Sequence, residues 1–530
     1  MRTQWIECIS VIGFSAVFLF GVAAAHACRH PQRLSRGLDQ ADVVYYPVHG
    51  DAGGLAHINY WTMDPATLAE REQLKARRIR SNPLHSSLFH PHQVISGYEA
   101  TGILNVQGRR QWITLKLPDD WNGKLVVCGT PGLGNEYANE TILAPWLLAS
   151  GYAVVSGNKG LESSWVSMLS GTHPTRHWGR MMHDMAKWAR YRLTVATYRR
   201  VKRIYAAGLS NGGYQVRRAL EIDNSLPRWR RVFHGGLDWS GTYFPDARVL
   251  DANRDGTVDI KEYHAARTLV GHMDVACRTM KWAYDPETLT TPAQYAETPR
   301  YPDAHGPMTA AGFNSASDIF WGYYNTNYDN YKDQGLPQWR GVGYFNLISH
   351  VYRAELLGHD LEQSAAYSCF HDPNRPEAPP ALYQWLENAR YGGWTAESIQ
   401  WALANANTAE FKAPMITLVG DADGLLAIDA HSLAYRRAVE KYGRKGLHRL
   451  YVIENGPHVD AHADGAVDFN FDGVSGNEDA DLELTPMQAY AQRAFMYLEQ
   501  WVENGASPPE SKTVANDPSQ DMDDPNLLAW

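Results

Sequence analysis

The chain has 530 residues, of which 44% are hydrophobic and 20% charged, enough to bury one large core and still carry insertions. These proportions exclude a fibre, a coiled coil and a disordered tail. Lys and Arg number 49 against 58 Asp and Glu, a formal charge of −9, so the overall basic balance of a phosphate-backbone binder is missing and nucleic acid is not the expected partner.

Arg2, an apolar run from Val11 to Val22 and small residues up to Ala27 read as a secretory signal, removed after residue 27. The run falls short of the roughly 20 residues a membrane span needs. Cys28, directly after it, is an alternative lipid-carrying first residue. Export permits disulfides among Cys28, Cys128, Cys277 and Cys369. Cys277 and Cys369 share one region and are the preferred pair, while Cys128 ends an apolar strand and reads as a small buried thiol. Residues 28–97 form a polar, His-rich extension with no predicted place in the fold. Its His85, His90 and His92 read as exposed loop residues.

From residue 98 the pattern becomes regular. YEATGILNV, RRQWITLKLP and LVVC are strands separated by turns. GYAVVSGN is a further strand, RHWGRMMHDMAKWARYRL has helical spacing, RIYAAG is a buried strand, and SNGGYQVRRALE is the helix after it. The rhythm resumes with PMITLVG, a helix through AIDAHSLAYRRAVEKYG, the strand HRLYVIE, and a last helix capped by Thr485 with Pro486 at its first position. Such alternation predicts an α/β fold with a mainly parallel sheet covered by helices on both faces. The core then comprises 98–240 and 411–505. Residues 241–410 break the rhythm and are rich in Tyr, Trp, Asn and Pro, which predicts a large inserted cap. Residues 506–530 read as an acidic, solvated tail.

The sharpest motif is Gly208-Leu209-Ser210-Asn211-Gly212. It lies between a buried strand and an amphipathic helix, where a nucleophile elbow places its serine on a tight turn flanked by glycines. A serine hydroxyl attacks only when a base takes its proton and a third group orients that base. Asp423 follows strand 415–419 and is the candidate acid, with Asp421 the competitor. His458 follows strand 450–453 and is the candidate base, with His462 the alternative. Ser210, Asp423 and His458 each stand just past a predicted strand, so a parallel sheet would gather them at one edge. Two backbone N–H groups must also face the developing oxyanion. Asn211, after the nucleophile, is one, and Thr130 in the loop Gly129-Thr130-Pro131-Gly132 is chosen as the other because Pro131 has no N–H.

These stations, GLSNGG, GTPG, GDAD and NGPH, resemble the α/β-hydrolase superfamily. Within it, DDWNGKLVVCGTPG and SGYAVVSGNKG are similar to secreted bacterial esterases of the feruloyl esterase, tannase and hydroxybutyrate-oligomer hydrolase type. The resemblance implies hydrolysis through an acyl-enzyme, on a bulky, aromatic or oligomeric ester. Leu209 stands where tannase-like enzymes have a cysteine. An amidase or peptidase with the same triad is the alternative, and a non-catalytic calcium-dependent binding protein on this scaffold is the third reading.

Calcium is expected at the twelve-residue loop 251–262. Asp251, Asn253, Asp255, Thr257, Asp259 and Glu262 fall at the liganding positions and Gly256 at the sharp turn. A second candidate starts at Asp468 and uses Asn470, Asp472 and Asp479. Both are read as structural sites.

Overall fold

The computed structural model describes residues 28–47, 54–56, 66, 68, 70–80, 95–160, 177–250, 254–255, 406–460 and 485–515, less positions 133, 245, 422, 424–425, 427, 429–430 and 455. Among these residues, ten strands form one sheet in the order β1-β2-β3-β5-β4-β6-β7-β8-β9-β10. They are β1 (Asp39–Tyr46), β2 (Gly97–Val106), β3 (Arg109–Pro118), β4 (Lys124–Gly129), β5 (Ala153–Gly157), β6 (Arg203–Leu209), β7 (Gly235–Trp239), β8 (Met415–Gly420), β9 (His448–Ile453) and β10 (Lys512–Val514).

β3 runs antiparallel to both β2 and β5, and β1 runs antiparallel to β2. From β5 to β10 every neighbouring pair is parallel. Strands β2 to β9 therefore follow the order 1-2-4-3-5-6-7-8 with the second strand reversed. That order, with a serine elbow after the fifth of them, is the α/β-hydrolase fold.

The helices are α1 (Glu70–Arg80), α2 (Ala144–Ala149), α3 (Trp178–Thr197), α4 (Asn211–Ser225), α5 (Ala247–Leu250), α6 (Ser432–Lys441) and α7 (Gln488–Asn504). Alternate residues of each parallel strand enter opposite cores. Val126, Cys128, Tyr205 and Ala207 join the cluster under α2 and α7, whereas Leu125, Val127, Ile204 and Ala206 join the one under α3, α4 and α6. Burial on both faces explains why these strands read as continuous apolar runs instead of alternating. Gln107 and Gly108 both take positive φ, 54° and 78°, as a two-residue turn joining β2 to β3 requires.

The sequence reading needs three corrections. The extension 28–97 is in part a component of the sheet: β1 pairs with β2 from Asp39 opposite Ile103 to Tyr46 opposite Gly97. Helix α1 is tied to the sheet by an ion pair, Lys75 2.7 Å from Glu99, whose carboxylate also pairs with Lys116 of β3. Within the stretch read as a solvated tail, Lys512–Val514 pairs with Tyr451–Ile453, because β9 would otherwise present an open edge. Thr485 does not cap α7. Its hydroxyl donates to the Glu454 carbonyl, and Asp460 supplies the cap, accepting from Met487 N and Gln488 N at 2.5 and 2.9 Å.

The expected signal 1–27, cap residues 256–405, Cys277, Cys369, His462 and the histidines at 85, 90 and 92 lie outside the described residues, as do Asp251, Asn253, Thr257, Asp259, Glu262, Asp468, Asn470, Asp472 and Asp479. Asp255 is described and exposed. Cys28 and Cys128 are free and buried. At 6% exposure inside an apolar cluster, the Cys28 sulfur is not displayed for a lipid.

Candidate active site

β6 ends at Leu209 and α4 begins at Asn211, so Ser210 alone must turn the chain. It does so at φ 60°, ψ −121°, a strained conformation that the surroundings hold in place. Its N–H donates to the Trp239 carbonyl at 2.8 Å, and its own carbonyl accepts from Tyr214 N at 3.1 Å. The glycines around it are required by contact. A Cβ on Gly208 would lie 2.4 Å from the Gly212 backbone, and one on Gly212 would lie 2.4 Å from the Gly129 carbonyl oxygen. Gly213 is equally confined, by the Asp238 carboxylate at 2.4 Å.

Asp423 and His458 meet at the same edge of the sheet, in the loops after β8 and β9. The imidazole Nδ1 is 2.8 Å from the Asp423 carboxylate, and both side chains are fully buried. The other carboxylate oxygen accepts the Leu426 N–H at 2.9 Å. Burial alone would raise the Asp423 pKa, but the adjoining His458 and these hydrogen bonds outweigh it and hold the group below its ordinary 3.8. An ionised Asp423 accepting from Nδ1–H leaves Nε2 as the proton-accepting nitrogen. Asp421, the competing acid, is exposed at the start of the loop, its N–H on the Ile453 carbonyl at 3.0 Å.

The oxyanion loop differs from expectation. The Thr130 N–H donates to the side-chain oxygen of Gln215 at 2.9 Å, and its hydroxyl donates to the Gly157 carbonyl. Gln215 lies one turn beyond Ser210 on α4 and points back at the end of β4. Thr130 is therefore a brace between strand and helix, with its N–H committed elsewhere. Asn211 does double duty that a backbone reading could not reveal. Its N–H belongs to the first turn of α4, where helix donors point outward. Its side chain donates to the Gly132 carbonyl at 3.1 Å and accepts from the Thr242 hydroxyl at 3.2 Å.

Two further residues near the site escaped sequence reasoning. Lys159 is 1% exposed and left-handed at φ 61°. Its ammonium donates to the same Gly132 carbonyl and sits 4.3 Å from the centre of the Trp178 ring. The only signal was its place in NKG after a strand. Beneath the elbow, Arg217 pairs with Asp238 at 2.6 Å and donates to the Thr242 carbonyl at 3.2 Å, so a buried ion pair holds the segment that contacts both Ser210 and Asn211.

No protein-family model matches the chain, and no curated protein matches it significantly in sequence. Solved structures do resemble it. Feruloyl esterase B from Aspergillus oryzae is 12% identical over 90% of this chain and 91% of its own, with a TM-score of 0.47. Tannin acyl hydrolase from Aspergillus niger is 13% identical over 91% and 88%, with a TM-score of 0.41. The rice cell wall degrading esterase LipA from Xanthomonas oryzae is 14% identical over 67% and 82%, with a TM-score of 0.33.

Proposed function

We propose that the chain is an exported serine hydrolase that cleaves carboxylic esters, bulky, aromatic or oligomeric ones among them, through an acyl-enzyme on Ser210. The observation that carries this reading is the fully buried Asp423–His458 pair at 2.8 Å, on the sheet edge where the Ser210 elbow also stands. His458 Nε2 takes the Ser210 proton as Oγ bonds to the acyl carbon. The carbonyl oxygen, now anionic, faces the Asn211 N–H and a second donor for which the Gly132 N–H is the candidate among the described residues, since Thr130 N–H is taken by Gln215, Pro131 has no N–H and Gly134 N–H is donated to the Pro131 carbonyl at 3.0 Å. The alcohol leaves with the proton returned by His458, and water repeats the sequence to release the acid. Asp423 stays ionised throughout and fixes the imidazole.

A fluorophosphonate probe tests the reading. The wild-type chain is expected to label and Ser210→Ala to remain unlabelled. Equal labelling of both, or of neither, removes it. Matched esters and amides then separate an esterase from an amidase.

A further inference from the structure

The net charge of −9 conceals a basic face. Segments 28–36, 187–203 and 226–234 together hold thirteen Lys or Arg and no Asp or Glu. The fold brings them side by side. The N–H groups of Arg29 and His30 both donate to the Ala196 carbonyl at 3.0 Å, and the Arg33 guanidinium reaches the Tyr198 hydroxyl at 3.1 Å. His234 N donates to the Ile204 carbonyl at 2.8 Å, and Ile204 N returns a bond to the His234 ring at 3.1 Å. Burial, then Arg203 and also Arg190, with Asp223 opposing, hold His234 below its ordinary pKa.

Arg33, Arg36, Arg200, Lys202, Arg228 and Arg230 are exposed. Among the described residues, none of the thirteen cations forms an ion pair with a carboxylate. Several lie instead over aromatic rings: Arg230 is 4.6 Å from the Trp229 ring, Arg192 4.5 Å from Tyr191, and Arg33 5.5 Å from Tyr198. Those three rings are themselves exposed, Trp229 by 75% and Tyr191 and Tyr198 by 57% each. They are three of the four large hydrophobic side chains so exposed among the described residues, so their grouping with the unpaired cations needs an explanation.

We infer that this face docks the protein on an anionic phospholipid bilayer. Guanidiniums attract lipid phosphates, and indole and phenol rings settle at the headgroup level, one end apolar and the other wet. A polyanion without apolar faces would use the charges but leave the exposed indole without an apolar medium. The face lies at the amino-terminal ends of β6 and β7, whereas Ser210 follows the carboxyl end of β6. Across the seven residues of β6, at roughly 3.3 Å each, docking turns the catalytic edge away from the bilayer and toward soluble substrate.

Co-sedimentation of the exported chain with phosphatidylcholine vesicles, with and without phosphatidylglycerol, tests this. Binding is expected only to the anionic vesicles and is expected to weaken at high salt. Arg228→Glu/Arg230→Glu should lower the partition by about tenfold or more, and Trp229→Ala should lower it several-fold, with Tm and hydrolysis of a soluble ester unchanged. Binding that ignores phosphatidylglycerol, variants that sediment like wild type, or retention on heparin or an oligonucleotide without vesicle binding each overturn the inference. Because soluble-ester hydrolysis is read separately, loss of docking is distinguishable from failure of the hydrolase reading.

Discussion

Asp460 accepts the Gln488 N–H at 2.9 Å, which ties the loop of His458 to the amino terminus of α7. The carboxylate is 1% exposed and also takes the Met487 N–H, so it satisfies two end-of-helix donors and meets the positive end of the helix dipole. Asp460→Ala is expected to cost about 2 kcal/mol. Since the imidazole is only two residues away, kcat should fall by roughly tenfold with KM little changed. Thermal melting and steady-state kinetics read both effects. A variant that melts early but keeps full kcat would show that the cap stabilises α7 without positioning the histidine.

The close approach of β4, β6 and α4 makes a second prediction sharp. Gly212→Ala places a methyl group 2.4 Å from the Gly129 carbonyl oxygen, between two backbones that cannot part without opening the elbow. A loss above about 3 kcal/mol, or failure to accumulate as soluble protein, is expected. Gly446→Ala is the control, since nothing lies within 4 Å of its added Cβ. Urea denaturation of the pair should separate them widely, and equal stabilities would refute the steric account.

Both predictions show where sequence reasoning succeeds and where it stops. The elbow was legible because a local motif, strand-G-x-S-x-G-helix, carries its own steric logic. The meeting of Asp423 with His458 was legible because parallel strands deliver their carboxyl ends to one edge. The Thr130 assignment failed at a long-range contact: only the fold shows that Gln215, on another element, takes its N–H. Likewise Thr485 read as a cap from local grammar, but the acceptor came from Asp460, 27 positions earlier than Met487. β1 and β10 were missed because edge strands carry weak apolar patterns, and Asp39–Tyr46 is mostly exposed along its first half. The basic face vanished in the total because 58 acids elsewhere cancel it.

His448 should make the fold acid-sensitive. Burial, then Arg436, Arg217 and Arg449, hold its pKa well below the ordinary 6.5, and it is wedged between the Thr417 hydroxyl at 2.8 Å and Arg436 at 3.1 Å. Below pH 6.5 the unfolded chain binds a proton there and the folded chain does not. Stability therefore falls as pH drops, by about 1.4 kcal/mol per unit from this group. His448→Gln should flatten that limb between pH 6.5 and 5 at a modest loss near neutrality. Denaturation curves across this range check it, and an unchanged slope in the variant excludes His448 as the cause.

If the loop from Asp251 to Glu262 binds calcium as its residue pattern proposes, a chelator lowers the Tm and added calcium restores it, because an ion that binds only the folded chain stabilises it. Asp251→Ala/Glu262→Ala should melt early and no longer respond. A wild-type Tm indifferent to both chelator and calcium removes the assignment.

Lys159 and Asn211 converge on one oxygen, the Gly132 carbonyl, and so fix the turn from which the second oxyanion donor is proposed to come. The Lys159 ammonium, donating to that carbonyl beside the Trp178 ring, is placed to position the turn. Lys159→Met keeps the length of the side chain and removes the bond. It is expected to lower kcat by roughly tenfold to a hundredfold, with KM for a short ester nearly unchanged. Affinity for an arylboronic acid, which becomes tetrahedral on Ser210 and puts an oxygen where the oxyanion forms, should fall by the same factor. With Asn211→Ala added, the two losses should not sum, because either change already releases the turn. Full activity and unchanged boronate affinity in Lys159→Met, with Ser210→Ala inactive, would leave the hydrolase intact and assign the lysine to stability alone.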